Sequence, residues 1–84
     1  MKHYLKTWMP FYQECVEGIK TFDVRENDRN FQLKDILVLQ EYNRDTSQYT
    51  GRESEFVVTY GLYGGSFGVD KDYVVLAITP FEQN

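Results

Sequence analysis

Lysine, aspartate and arginine stand at fixed spacing in Gly18-x-Lys20-x-x-Asp23-x-Arg25, and together these three residue types can hold a polar planar group. A lysine ammonium supplies a point charge, and an arginine guanidinium supplies a planar fork of donors for phosphate or carbonyl oxygens. A carboxylate accepts from an amine or a ring N–H. A nucleobase or nucleotide offers partners for all three. If residues 21–26 form a strand, Asp23 and Arg25 project to one face while Phe22 and Val24 project to the other. Lys20 has the wrong parity to join them by simple alternation. It reaches the same cleft only if the chain bends where a helix hands over to the strand, which Gly18 permits. The competing arrangement is an Asp23–Arg25 ion pair on the surface with Lys20 solvated.

Other residues can complete such a site or serve the fold alone. Trp8, two residues after Lys6, can stack a base, as aromatic side chains beside positive charges do in single-strand binders, or it can fill the core or its rim. His3 has no local partner and is expected on the surface or in strand pairing rather than as a proton shuttle. Tyr49, Thr50 and Arg52 either close one side of the cleft or form a turn with Arg52 paired to Glu53 or Glu55. Phe67, inside Gly64-Gly-Ser-Phe-Gly68, is expected to plug the core rather than stand exposed. Cys15 is expected to be a small core residue.

The elements that must position these groups follow from periodicity and punctuation. Residues 3–8 carry aromatic and β-branched character for a first strand, and Pro10 suits the first turn of a helix over 10–17 that ends at Gly18. Phe11, Cys15 and Ile19 form its apolar stripe, with Tyr12 and Val16 beside them. Strands are expected at 21–26, 36–42, 52–62 and 73–79, with 43–51 as a long hairpin connection. One crossover helix among five short strands predicts a mainly-β α+β fold, a small and partly open mixed β-barrel, with the helix covering one opening. Phe11, Cys15, Val24, Leu37, Val57 and Val75, or their strand neighbours, are expected in the core.

Eighty-four residues with 42% hydrophobic and 17% aromatic content supply one domain, 1–84, and one core. One cysteine makes no internal disulfide, and neither a signal-peptide pattern nor a membrane-length apolar run occurs, so a cytoplasmic protein without membrane attachment is expected. The net charge of −4 argues against grip on duplex nucleic acid by phosphate neutralisation alone. Residues 1–34 nevertheless hold six Lys or Arg against five acids, while 35–84 hold three against eight, so an anion-binding surface belongs to the first part of the chain. One histidine and one cysteine do not build a zinc site, and no calcium loop, phosphate-binding loop, nucleophile elbow or dinucleotide fingerprint is present. No metal and no cofactor are expected.

The Gly18-x-Lys20-x-x-Asp23-x-Arg25 motif, followed by Phe31-Gln-Leu-Lys-Asp35 before an Ile-Leu-Val-Leu strand, resembles the ASCH family of the PUA-like superfamily. His3-x-Leu-Lys-Thr-Trp8, Asn27-Asp-Arg29, Tyr49-Thr-Gly-Arg52, Gly64-Gly-x-Phe-Gly68 and Tyr73-Val-Val-Leu76 extend the likeness, over nearly the whole chain, to a small prokaryotic and phage branch of uncharacterised function. Two positions depart from it: the usual glutamate is Asp23, and the glycine common before the aspartate of the later turn is Lys34. The resemblance implies a PUA-like barrel with a cleft lined by Lys20, Asp23 and Arg25; Lys6 and Trp8 are expected at its rim from their own chemistry. It implies a binding module for single-stranded RNA, a nucleotide or a modified nucleoside; a monomer is expected. One ASCH branch is similar to an amidohydrolase for acylated cytidine; Lys20 matches its catalytic lysine, but its nucleophilic threonine is Asp23 here. A third expectation is a phage or mobile-element accessory protein that binds a host protein through its acidic C-terminal half.

Overall fold

The computed structural model describes residues 1–81. In chain order the elements are β1 (Lys2–Trp8), α1 (Met9–Val16), β2 (Phe22–Glu26), β3 (Ile36–Asn43), β4 (Gln48–Tyr63) and β5 (Tyr73–Pro80). All five strands form one mixed sheet in the order β1-β3-β4-β5-β2, curved into a half-barrel. β1 runs parallel to β3, with Leu5 opposite Leu39, and the other pairs are antiparallel. β1 and β2 are therefore the two edges of the sheet, although only α1 and a short turn separate them in sequence. The barrel's open seam lies between these edges.

Strict alternation makes β1 two-faced: His3, Leu5 and Thr7 point inward and are buried, while Lys2, Tyr4, Lys6 and Trp8 point out. Inside, Leu5 meets Leu37, Leu39, Phe56, Val58, Val74, Leu76 and Ile78, capped by Tyr12 and Cys15 of α1 and by Phe31. Each buried leucine or phenylalanine stabilises the fold by about 1.5–3 kcal/mol. Cys15 and Leu37 take the expected core places, and Val57 and Val75 are half-buried beside Phe56, Val58, Val74 and Leu76.

Two expected core residues face outward. α1 stops at Val16, so its buried stripe is Tyr12 and Cys15, and Phe11 is 43% exposed and leans on Trp8. Tyr12 tolerates complete burial because its hydroxyl shares a 2.8 Å hydrogen bond with Ser54. On β2 the alternation is as read, but Asp23 and Arg25 take the inner face, which leaves Val24 51% exposed.

The turns follow backbone chemistry. Gly18 adopts φ +78° after the helix, with the Ile19 and Lys20 N–H groups bonded back to the Glu14 carbonyl, and this sharp stop redirects Lys20 toward β2. Lys34 adopts φ +72°, the left-handed region that favours glycine. The 43–51 connection tightens to a turn at 44–47 because β4 begins at Gln48, with Gly51 inside the strand. Phe67 does not plug the core: it has φ +55° and is 88% exposed at a glycine-rich loop tip.

Burial pushes the Cys15 thiol above its ordinary pKa, against the opposing pull of the Lys20 charge. Cys15 is 1% exposed, so alkylation by iodoacetamide is expected only through unfolding. Mass spectrometry should find unmodified native protein at mildly alkaline pH and complete labelling in denaturant. Rapid labelling of the native protein would contradict the packing of α1.

Candidate functional site

The centre of the site is Asp23, a carboxylate buried on the inner face of an edge strand. A charge in this position must be paired, and two cations do so. The Arg25 Nε donates to Asp23 Oδ2 at 2.7 Å, and Lys20 Nζ lies 3.4 Å from Oδ1. Lys20 also donates to the Phe22 carbonyl at 2.8 Å and sits near the faces of Phe11 and Phe22, 5.6 and 4.9 Å from their centroids. It is therefore already committed, and its side chain is only 16% exposed.

Arg25 spans the seam. Its Nη2 donates to Thr7 Oγ1 on β1 at 3.0 Å, while the Thr7 hydroxyl donates to the Leu5 carbonyl at 3.3 Å. These contacts engage two of the five guanidinium N–H donors and fix the plane of the group from both edges. Thr7 carries no motif signal, and only the three-dimensional meeting of β1 and β2 reveals it as the second anchor.

In front of Arg25 the seam opens into a groove of about 380 Å³ lined by Lys6, Thr7, Trp8, Phe11, Asp23, Val24 and Arg25. The volume lies within the roughly 300–1,000 Å³ usual for small-ligand sites. The structure thus brings Lys6, Trp8, Asp23 and Arg25 to one concavity. Lys20 stands behind Asp23, outside that lining, and braces it. Trp8 is 42% exposed at the rim and stacks on Phe11 with ring centroids 6.0 Å apart. Lys6 sits 4.3 Å from the Tyr42 ring centroid.

The remaining candidates lie elsewhere. Of its two expected places His3 takes strand pairing, on β1 opposite Leu37, and not the surface: it is 5% exposed, with its Nε2 2.8 Å from Asp35 Oδ2 and its ring edge on Phe31. Burial would raise the Asp35 pKa. The His3 hydrogen bond, the Gln32 N–H and the terminal amine together hold it below the ordinary carboxylate value. Thr50 donates to the buried Glu41 at 2.7 Å, and Arg52 reaches Glu41 and donates to Gln13 at 3.1 Å. Thr50 therefore ties β4 to β3 and Arg52 ties the hairpin to α1, instead of closing the groove or, for Arg52, pairing with Glu53 or Glu55. Among the described residues no cluster of three or more His, Cys, Asp or Glu side chains is placed to hold a metal ion. No helix of the described residues is long and apolar enough to cross a membrane.

Fold and site define a small half-barrel domain with an arginine-centred groove along the seam between its edge strands. The chain belongs to the family described as a domain of unknown function, DUF3850, whose model matches residues 2–78. No curated protein matches it.

Proposed function

We propose that this chain is an ASCH-like, PUA-like binding module that takes single-stranded RNA, a nucleotide or a modified nucleoside in the seam groove. The observation that carries the reading is Arg25, held in one plane by Asp23 and Thr7, beside a groove rimmed by aromatic Trp8 and Phe11 and by Lys6. A fixed guanidinium suits phosphate or carbonyl oxygens, the aromatic rim suits a base face, and Lys6 adds charge. The motif resemblance points the same way, and with it goes a monomer working in the cytoplasm. The amidohydrolase alternative needs a lysine available to reacting atoms, whereas Lys20 is occupied by the Phe22 carbonyl and Asp23.

Trp8 is the single tryptophan and reports binding by its fluorescence. Titration with nucleoside monophosphates, short single strands and duplex RNA should show preference for single strands. A strand making three or four phosphate contacts should give a log–log salt slope of about −2 to −3, at roughly −0.7 per contact. Arg25→Met should weaken binding by about tenfold or more, the value of a charge-assisted hydrogen bond. If no nucleotide or RNA quenches Trp8 up to millimolar concentration, the nucleotide reading fails and binding of a host protein takes its place.

A further inference from the structure

Across Trp8 from the groove lies a second cleft of about 240 Å³, lined by Trp8, Met9, Pro10, Tyr42, Asn43, Arg44 and Asp45. We infer that this cleft holds a second nucleotide of the same strand, so that the ligand is a single-stranded oligonucleotide rather than a free nucleoside; the inference rests on the groove reading above.

Trp8 lines both concavities, so the groove and the cleft meet at its side chain, where Arg44 lies over the ring. The cleft is smaller than the roughly 300 Å³ at which sites for independent small ligands begin, and it suits one part of a longer molecule. Trp8 and Tyr42 are its aromatic walls and Arg44 is its cation. Arg44 lies 4.0 Å from the Trp8 ring centroid, Lys6 sits over Tyr42, and Tyr42 meets Tyr49 edge-on at 5.2 Å. Aromatic rings beside a cation are how single strands are held, with bases on π-faces and phosphates on the nearby charge.

Arg44 differs from the other three arginines. Arg25, Arg29 and Arg52 donate to Asp23, to the Tyr4 carbonyl and to Gln13 respectively, whereas Arg44 makes no hydrogen bond or ion pair among the described residues. Its donors are free to meet a phosphate. It stands on an exposed turn whose shape is set by the Asn43 side chain accepting the Asp45 and Thr46 N–H groups, so the guanidinium can slide on the indole without cost to the core. Asp45 in the same lining opposes a phosphate placed beside it and favours one on the Trp8 side of Arg44.

The test compares cytidine 5′-monophosphate with tetracytidylate by amide and side-chain chemical-shift mapping, since stacking tolerates any base. The monophosphate should move the resonances of residues 23–25, and the tetranucleotide should also move those of residues 43–45. The tetranucleotide should bind about tenfold or more tightly than the monophosphate. Arg44→Ala, at an exposed turn position, should bring the ratio of the two affinities toward unity. Equal affinities, or a ratio unchanged in Arg44→Ala, would overturn the second subsite while shifts at residues 23–25 kept the groove reading intact. If neither ligand moves residues 23–25, both readings fall together.

Discussion

Asp35→Ala is expected to lower folding stability by about 3–5 kcal/mol, as removal of one partner from a buried charged contact does. Chains of 84 residues have about 4–13 kcal/mol in total, so this one substitution consumes a large share. The carboxylate is 6% exposed and ties three parts of the chain: the His3 ring on β1, the Gln32 N–H in the preceding turn and the terminal amine. Alanine leaves the 5% exposed His3 without its acceptor, and the backbone of residues 32–35 loses the side-chain bond that closes its turn. Urea denaturation followed by Trp8 fluorescence measures the loss. A midpoint unchanged from the parent would show that His3 and Asp35 do not hold each other.

The same residue gives the fold an acid limit. Its folded pKa lies below the ordinary 3.8, so the stabilisation is complete above that value and is lost as pH falls through the folded one. The parent's urea midpoint should therefore drop as pH falls below the ordinary 3.8 and through the lower folded value. In Asp35→Asn that part of the drop should be absent, because the amide does not titrate. An identical acid limb in both proteins would assign it to other carboxylates.

What the sequence discloses and what it conceals divides along contact distance. The pairing of Asp23 with Arg25 follows from a two-residue spacing on a strand, and Gly18 announces the turn that returns Lys20 to Asp23. Five strands and a single helix follow from local periodicity. Which face of β2 turns inward does not, because Val24 is the apolar choice and only the two cations around Asp23 reverse it. Thr7 and Arg25 lie 18 residues apart and His3 and Asp35 lie 32 apart, with no pattern to connect them. They meet because β1 and β2 become the two edges of one curved sheet and because β1 lies alongside the start of β3. Arg44 is hidden for a similar reason: its partner Trp8 is brought to it by the register that sets Trp8 opposite Tyr42.

Asp23→Ala should cost about 3 kcal/mol in stability, at the low end for a broken buried pair. The low end applies because the stranded Arg25 and Lys20 side chains, 22% and 16% exposed, retain partial access to water. Asp23→Ala combined with Arg25→Met should be less destabilised than the sum of the single changes, with a coupling of about 1–3 kcal/mol for groups in one network. Function separates from stability in Asp23→Asn, which keeps the shape and one acceptor but loses the charge that fixes the guanidinium. Measured where every variant is folded, Asp23→Asn should bind nucleotide or single-stranded RNA more weakly by about 1–3 kcal/mol, because Arg25 no longer meets the ligand in a fixed plane. Lys20→Met, which removes the brace behind Asp23, should act in the same direction with a smaller effect. If Asp23→Asn lowers the denaturation midpoint yet leaves binding by the folded protein unchanged, the ion pair serves the barrel seam alone and Arg25 is not the ligand's anchor. A parallel loss of affinity in Asp23→Asn and Arg25→Met, with little further loss when the two are combined, is the result expected of a carboxylate that acts on the ligand through its arginine.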